Sequence, residues 1–299
     1  MKARIVLIGP GRVGAAVGKR LHQAGYPLVA VIGRDQRRAE DAARFIGCDP
    51  AAATTDPAQA RRGQVVLLAL PDDQIGAMAA RLQQDPGLPE QTTLVHFSGL
   101  QPASLMSVAG SACAAVSIHP LLPFADREMA AARLTDCPCA IEGDEAAVPL
   151  AEQLVGAIGA QGFRLPSDAK VLYHAAACIA SNYLVTLTAA ARDLLLHCGF
   201  DNQQALALLR PIQQATSDNL GRLDPESALT GPIVRGDSGT VESHIAALEA
   251  QVPQLLELYR CLGQQTLALA TASGRLDKQP AVTLQRLLSS GASDDCAIG

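Results

Sequence analysis

The segment Gly9-Pro10-Gly11-Arg12-Val13-Gly14 constrains this chain more than any other. It follows the apolar run Ile5-Val6-Leu7-Ile8 and leads into Val17, Leu21 and Ala24, which recur at helical spacing. A strand, a glycine turn and a helix start, in that order, make a dinucleotide-binding turn. The first glycine permits the tight turn, the second lets backbone approach a pyrophosphate, and the third lets the helix pack close to the strand. Unpaired N–H groups and a partial positive charge at the helix start then face the phosphates. Gly9, Pro10, Gly11, Arg12, Val13 and Gly14 are therefore expected to bind a cofactor.

Composition excludes several other classes. At 299 residues and 48% hydrophobic, the chain can form two domains and a large core. A net charge of −5, no tryptophan and 3% aromatics argue against a nucleic-acid surface. The eight cysteines are scattered, and the close pair Cys137-Pro138-Cys139 makes half a zinc site at best. We expect no metal, reduced thiols and a cytoplasmic protein. The run at Ile5 is too short for a secretory signal and meets Gly-Pro at once. Residues 171–191 lack Asp, Glu, Lys and Arg and are long enough to span a bilayer. They also hold His174, Ser181, Asn182, Thr186 and Thr188, so the expectation is a helix buried in a domain core or a dimer interface, not a membrane span.

Short apolar runs at 4–8, 28–32, 65–70, 93–97 and 114–118 alternate with helical patterns near 12–25, 36–46, 72–83 and 101–109. This predicts an α/β fold with a doubly wound, mostly parallel sheet covered on both faces. Strands at 137–142 and 163–165 flank a helix from Glu145 to Ile158. Beyond Leu165 almost everything reads as helix: one from Asp168 to Cys198, one from Asp201 with a kink expected at Pro211, and a third region after Asp237. The expected domains are 1–165 for the cofactor, 166–288 as an all-α C-terminal domain, and a flexible tail at 289–299.

An NAD site places an acid at the end of the second strand, where it bonds the ribose. Here that place is Gly33, followed by Arg34, with Arg37 and Arg38 one turn later. Guanidinium groups suit a 2′-phosphate, so NADP is expected, with Gly33, Arg34 and Arg37 among its contacts. The alternative makes these arginines a solvated helix face and Asp35 either the helix cap or the ribose ligand.

In an open α/β sheet, ligands lie beyond the carboxyl ends of the strands. Pro71-Asp72-Asp73, His96-Phe97-Ser98-Gly99 and Ile118-His119-Pro120 occupy those ends. His96 and His119 would converge on the nicotinamide; Asp72 is equally a helix cap. On the long helix, Lys170 and His174 stand four apart, and Ser181 lies three turns from Lys170 beside Asn182. A first-turn lysine is disfavoured by the helix dipole, which would lower its pKa and make it a better proton donor. The alternative is an exposed lysine beside a core histidine. Reduction of a carbonyl leaves negative charge on oxygen, which Lys170 or His174 would meet while His96, Ser98 or His119 positions the substrate. In the loop Thr230–Asp237, Arg235 either binds a substrate carboxylate or forms a structural ion pair.

With these residues in view, the chain resembles Rossmann-like oxidoreductases that carry a C-terminal helical domain of uncharacterised function. These are relatives of pyrroline-5-carboxylate reductase, ketopantoate reductase, and the 6-phosphogluconate and hydroxyisobutyrate dehydrogenases. The likeness runs to about residue 275 and rests on Gly9–Gly14, Leu70-Pro71-Asp72, His96–Gly99, His119-Pro120-Leu121, Tyr173–Ala177 with Ser181-Asn182, and Thr230–Asp237. It implies that Leu70, Pro71 and Ser98 join the cofactor site, and that Thr230 and Arg235 bind substrate. It also implies a homodimer formed through the helical domain. Hydroxyacid dehydrogenases of this kind use a lysine followed by an asparagine four residues on. Lys170 matches the first, whereas His174 replaces the second.

The expected function is NADPH-dependent reduction of a small 2-oxo acid, such as ketopantoate. The alternatives are a cyclic imine reductase of the pyrroline-5-carboxylate type and a non-catalytic NADP-binding sensor.

Overall fold

The structure, a computed structural model, describes residues 1–84 and 87–289. The expected tail therefore lies, beyond Ser289, outside the described residues. The chain divides into compact units Met1–Asn182 and Tyr183–Gly299. The boundary expected after residue 165 falls just past the last strand, and the segment from Pro166 to Asn182 clusters with the sheet.

The first unit runs β1 (Ile5–Ile8), α1 (Arg12–Gln23), β2 (Leu28–Ile32), α2 (Gln36–Ile46), β3 (Ala53–Thr54), β4 (Val65–Leu68), α3 (Asp72–Gln84), β5 (Thr93–His96) and β6 (Ala114–Pro120). It continues with α4 (Arg127–Arg133), β7 (Pro138–Gly143), α5 (Val148–Ala157), β8 (Gln161–Arg164) and α6 (Lys170–Ala177). The strands form one sheet in the order β3-β2-β1-β4-β5-β6-β7-β8. β1 pairs in parallel with β2 on one side and β4 on the other, so the winding reverses there. That reversal opens a crevice at the carboxyl ends of β1 and β4, where Gly9 and Leu70 follow.

Both faces of the sheet are covered, as the apolar strands require. Leu7, Val31, Val95, Val116 and Ile141 pack with Val17, Leu21, Ile46 and Leu154. Val6, Ala30, Val66, Leu68 and Leu94 pack on the other side with Ile75, Ala79 and Met106. β7 runs antiparallel to β6, and β8 runs parallel to β7. Three elements depart from expectation. β3 is a two-residue strand held by Val31 and Ile32. The helix expected at 101–109 is a single 3-10 turn, Ala103–Met106, entered from Pro102. α4, capped by Asp126, was not anticipated.

The second unit is helical: α7 (Tyr183–His197), α8 (Asn202–Leu220), α9 (Pro225–Ala228), α10 (Ser238–Gln251), α11 (Leu256–Ala272) and α12 (Lys278–Ser289). A capping box of Asp201 and Gln204 starts α8, which continues through Pro211. Val241, Ile245, Leu267, Ala270, Leu284 and Leu288 form its core.

A π-helical turn, Cys178–Asn182, joins α6 to α7. The helical run Ser167–His197 is long and apolar enough to cross a membrane, by length and composition. None of its apolar stretch is buried. Its expected burial in a domain core is therefore corrected: Leu172 and Val185 are 78% and 70% exposed.

Candidate functional site

The glycine turn has the geometry its spacing demands. Gly9 adopts φ +83°, and a Cβ there would lie 2.4 Å from the Ala69 carbonyl oxygen and 2.8 Å from Leu70 Cδ2. A Cβ on Gly14 would lie 2.6 Å from the Gly9 carbonyl oxygen and 2.8 Å from Ala69 Cβ. Gly11 alone of the three has nothing within 4 Å of that position, so its backbone is open to a ligand. Gly11 is also the N-cap of α1, without a side-chain hydrogen bond and with no acid in the first turn. The exposed Arg12 follows it. An open helix N-terminus behind an uncovered glycine fits a pyrophosphate. Gly33 sits beside this turn, its missing Cβ 3.6 Å from Pro10 Cγ. Pro71 is exposed after Leu70. These residues would hold the dinucleotide.

At the second strand end the alternatives separate. Asp35 accepts the Arg38 N–H at 2.9 Å and caps α2. Arg34, Arg37 and Arg38 are exposed.

The strand ends further along carry a buried polar network. The Ser98 hydroxyl donates to Asp72 Oδ2 at 2.8 Å and accepts the N–H groups of Leu100 and Gln101. Asp72 is thus the first residue of α3 and the anchor of Ser98. The Ser98 N–H donates to His96 Nδ1, leaving the imidazole proton on Nε2, which is buried without a hydrogen-bond partner. Burial, aided by the Lys170 charge, pushes the His96 pKa down to about 4. His96 is completely buried. It holds the turn rather than meeting a ligand, which corrects its expected role.

Lys170 is also turned inward, at 1% exposure. Its ammonium donates to Ser117 Oγ at 2.8 Å and to the Ser98 carbonyl at 3.3 Å. It lies 3.6 Å from Glu142 Oε2. Burial lowers its pKa, opposed by the Glu142 and Asp72 carboxylates. The expected proton donor is therefore a buried support. Glu142, which the sequence reading did not single out, completes it. Its carboxylate accepts the Ala103 N–H at 2.9 Å and the Ser167 hydroxyl at 2.7 Å. An acid on an otherwise apolar strand was the available signal.

His119 and His174 do come together. Their ring centroids lie 6.2 Å apart, and both press on Gly99. A Cβ on Gly99 would stand 2.7 Å from His174 Cδ2 and 2.8 Å from His119 Nε2. His119 Nδ1 lies 2.9 Å from the Tyr173 hydroxyl, a partner that the sequence reading left unassigned. His174 Nδ1 lies 3.9 Å from Cys178 Sγ.

Ser181 and Asn182 fall in the π-helical turn, half-buried and exposed respectively. A π-turn winds more residues per turn than an α-helix, so the three-turn spacing does not carry Ser181 onto the buried Lys170 side. In the second unit, Thr230 and Arg235 are exposed on the turn leading into α10. Asp237 caps that helix through Thr240, and these bonds, with Arg235 nearby, lower its pKa.

Residues 1–120 match the profile of a Rossmann-like domain, and residues 137–266 match a domain of unknown function, DUF2520. Comparison with curated proteins finds no match. Among solved structures, the chain is similar to an NADP oxidoreductase candidate from Bacteroides fragilis, with a TM-score of 0.72 and 23% identity over 90% of this chain and 98% of that one. It is similar to a Thermotoga maritima protein, with a TM-score of 0.69 and 26% identity over 90% and 99%. A pyrroline-5-carboxylate reductase from Streptococcus pyogenes shares a TM-score of 0.62 and 17% identity over 92% and 99%. The chain is thus similar to a Rossmann-like domain over its first part and to DUF2520 over its second.

Proposed function

We propose that the protein is an NADPH-dependent oxidoreductase that reduces a small carbonyl or imine compound. One observation carries the proposal: the turn whose Gly11 alone is uncovered opens on the same sheet edge as His119 and His174. When bound, NADPH supplies a hydride from its nicotinamide ring. The chain's own residues supply the phosphate cradle, the Arg34 charge for a 2′-phosphate and a polar edge beside the reacting carbon. The neighbour described as an NADP oxidoreductase candidate supports the cofactor.

Two substrate classes follow. A 2-oxo acid, such as ketopantoate, was expected to use Lys170 as its acid, and Lys170 is sealed against Glu142. A cyclic imine needs no such cation, and a pyrroline-5-carboxylate reductase shares the fold. These observations favour the imine class. We further propose a cytoplasmic homodimer formed through the exposed apolar helix Ser167–His197, with no membrane or nucleic-acid partner.

NADPH oxidation against a panel of 2-oxo acids and cyclic imines tests the function. Turnover of a cyclic imine supports it. Micromolar NADPH binding without turnover of any panel member favours a non-catalytic sensor and sinks the enzyme reading.

A further inference from the structure

The pairing of His119 with Tyr173 carries one inference further; it rests on the proposed reductase function. His119 is the next-to-last residue of β6, Tyr173 lies in the first turn of α6, and Nδ1 meets the phenol oxygen at 2.9 Å. The rings meet edge to face at 5.5 Å, and Phe163 packs edge to face on the tyrosine at 6.1 Å. The dyad is therefore fixed in orientation by packing as well as by its hydrogen bond.

We propose that Tyr173 donates its hydroxyl proton to His119 Nδ1, fixing the tautomer that presents Nε2–H over Gly99 as the proton donor to the substrate. His119 is then the catalytic residue and Tyr173 the positioning residue that refills it. Three features support this direction. Burial pushes the phenol up to about 12, so it keeps its proton at neutral pH. Burial, with the Lys170 and His174 charges, pushes the His119 imidazole down to about 4, so Nδ1 retains a lone pair. The Nε2 edge faces a glycine whose Cβ, if present, would stand 2.8 Å away, so only glycine leaves that edge clear.

The step balances. As the substrate carbon gains a hydride, the π pair of the C=O or C=N bond moves onto oxygen or nitrogen. That atom takes the Nε2 proton while Nδ1 takes the phenol proton. Water then protonates Nε2 and the phenolate takes back the Nδ1 proton, which restores the starting tautomer. The alkoxide or amine anion left by the hydride is a far stronger base than a phenolate, so the relay runs downhill. The other titratable groups around the dyad are Lys170, His174, His96, Cys137 and Cys139. Lys170 is the nearby ammonium that disfavours an imidazolium at His119.

Nitrogen-15 NMR of histidine-labelled protein without cofactor tests the tautomer directly, with His119→Gln used for assignment. The expected spectrum shows His119 protonated on Nε2 and hydrogen-bonded at Nδ1. In Tyr173→Phe, which keeps the ring, that signature gives way to a tautomer mixture. A wild-type His119 protonated on Nδ1, or a signal unchanged in Tyr173→Phe, overturns the proposal. In turnover, Tyr173→Phe should lower kcat about 100-fold with NADPH affinity unchanged, the low end of the range of general-acid effects. An equal rise in KM without loss of kcat also overturns it. Failure of the wild-type protein to bind NADPH strikes the proposed function instead, and the tautomer measurement still judges the dyad.

Discussion

The Lys170 ammonium lies 3.6 Å from the Glu142 carboxylate, with the two side chains 2% and 5% exposed. The pair clamps one loop at both ends: Lys170 holds the Ser98 carbonyl, and Glu142 holds the Ala103 N–H. Removing one partner strands a buried charge, which costs about 3–5 kcal/mol. Lys170→Met and Glu142→Gln should each lose stability on that order in urea denaturation. The double variant should lose less than the sum. A Lys170→Met protein within about 1 kcal/mol of wild type would refute the clamp.

Acid should unfold the protein through its buried imidazoles. His96 and His119 both titrate at about 4 in the folded chain, against 6.5 for an ordinary histidine. Between those values the unfolded chain binds more protons than the folded one. Stability therefore falls as pH drops from 6.5 toward 4, by up to about 1.4 kcal/mol per pH unit for each histidine. Unfolding free energies measured across that window should show the slope, and His96→Gln should make it shallower by one histidine. An unchanged slope in that variant would place the acid sensitivity elsewhere.

Cofactor choice should follow Arg34 rather than Asp35. The Asp35 carboxylate is engaged in capping α2, whereas Arg34 is free of the sheet and exposed. Arg34→Glu should raise the KM for NADPH about 10–100-fold and shift preference toward NADH, the loss of a charge-assisted hydrogen bond. Asp35→Ala should cost about 1 kcal/mol of stability and leave the preference unaltered. Loss of NADH use in Asp35→Ala would instead make that carboxylate the ribose ligand.

The proposed dimer is testable through the helix Ser167–His197. Leu172 and Val185 are among its most exposed apolar side chains. An apolar surface of this kind is a common mark of an interface. The wild type should sediment as a dimer, and Leu172→Glu combined with Val185→Glu should sediment as a monomer. A monomeric wild type would end the proposal.

The parts of the site that were legible in the sequence are local ones. Gly9, Gly11 and Gly14 each impose a backbone condition within a few residues, and each condition is met. The strands were legible because a fully buried strand reads as an unbroken apolar run. β3 was not, since two residues, Ala53 and Thr54, have no periodicity and take their conformation from the edge of β2. Lys170 misled for a related reason. A lysine in a first helical turn looks free to meet a substrate, and what turns it inward is Glu142, an acid on the strand expected at 137–142 whose role no local pattern shows. Tyr173 was read only as part of a motif, because its partner His119 arrives from a distant strand.

Gly99 joins the two histidines and gives the sharpest test of the candidate site. Its absent Cβ would stand 2.7 Å from His174 Cδ2 and 2.8 Å from both Cε1 and Nε2 of His119. Real Cβ contacts do not close to that distance, so Gly99→Ala must push at least one imidazole aside. The glycine turn at Gly9–Gly14 follows a different strand, and the atoms nearest to a Cβ on Gly99 belong to the two imidazoles. Displacing a catalytic group by about 1 Å costs on the order of 100-fold in rate. Gly99→Ala should therefore lose about that much kcat, bind NADPH as the wild type does, and shift the His119 and His174 NMR signals together. Full turnover in this variant would remove both histidines from the reacting centre.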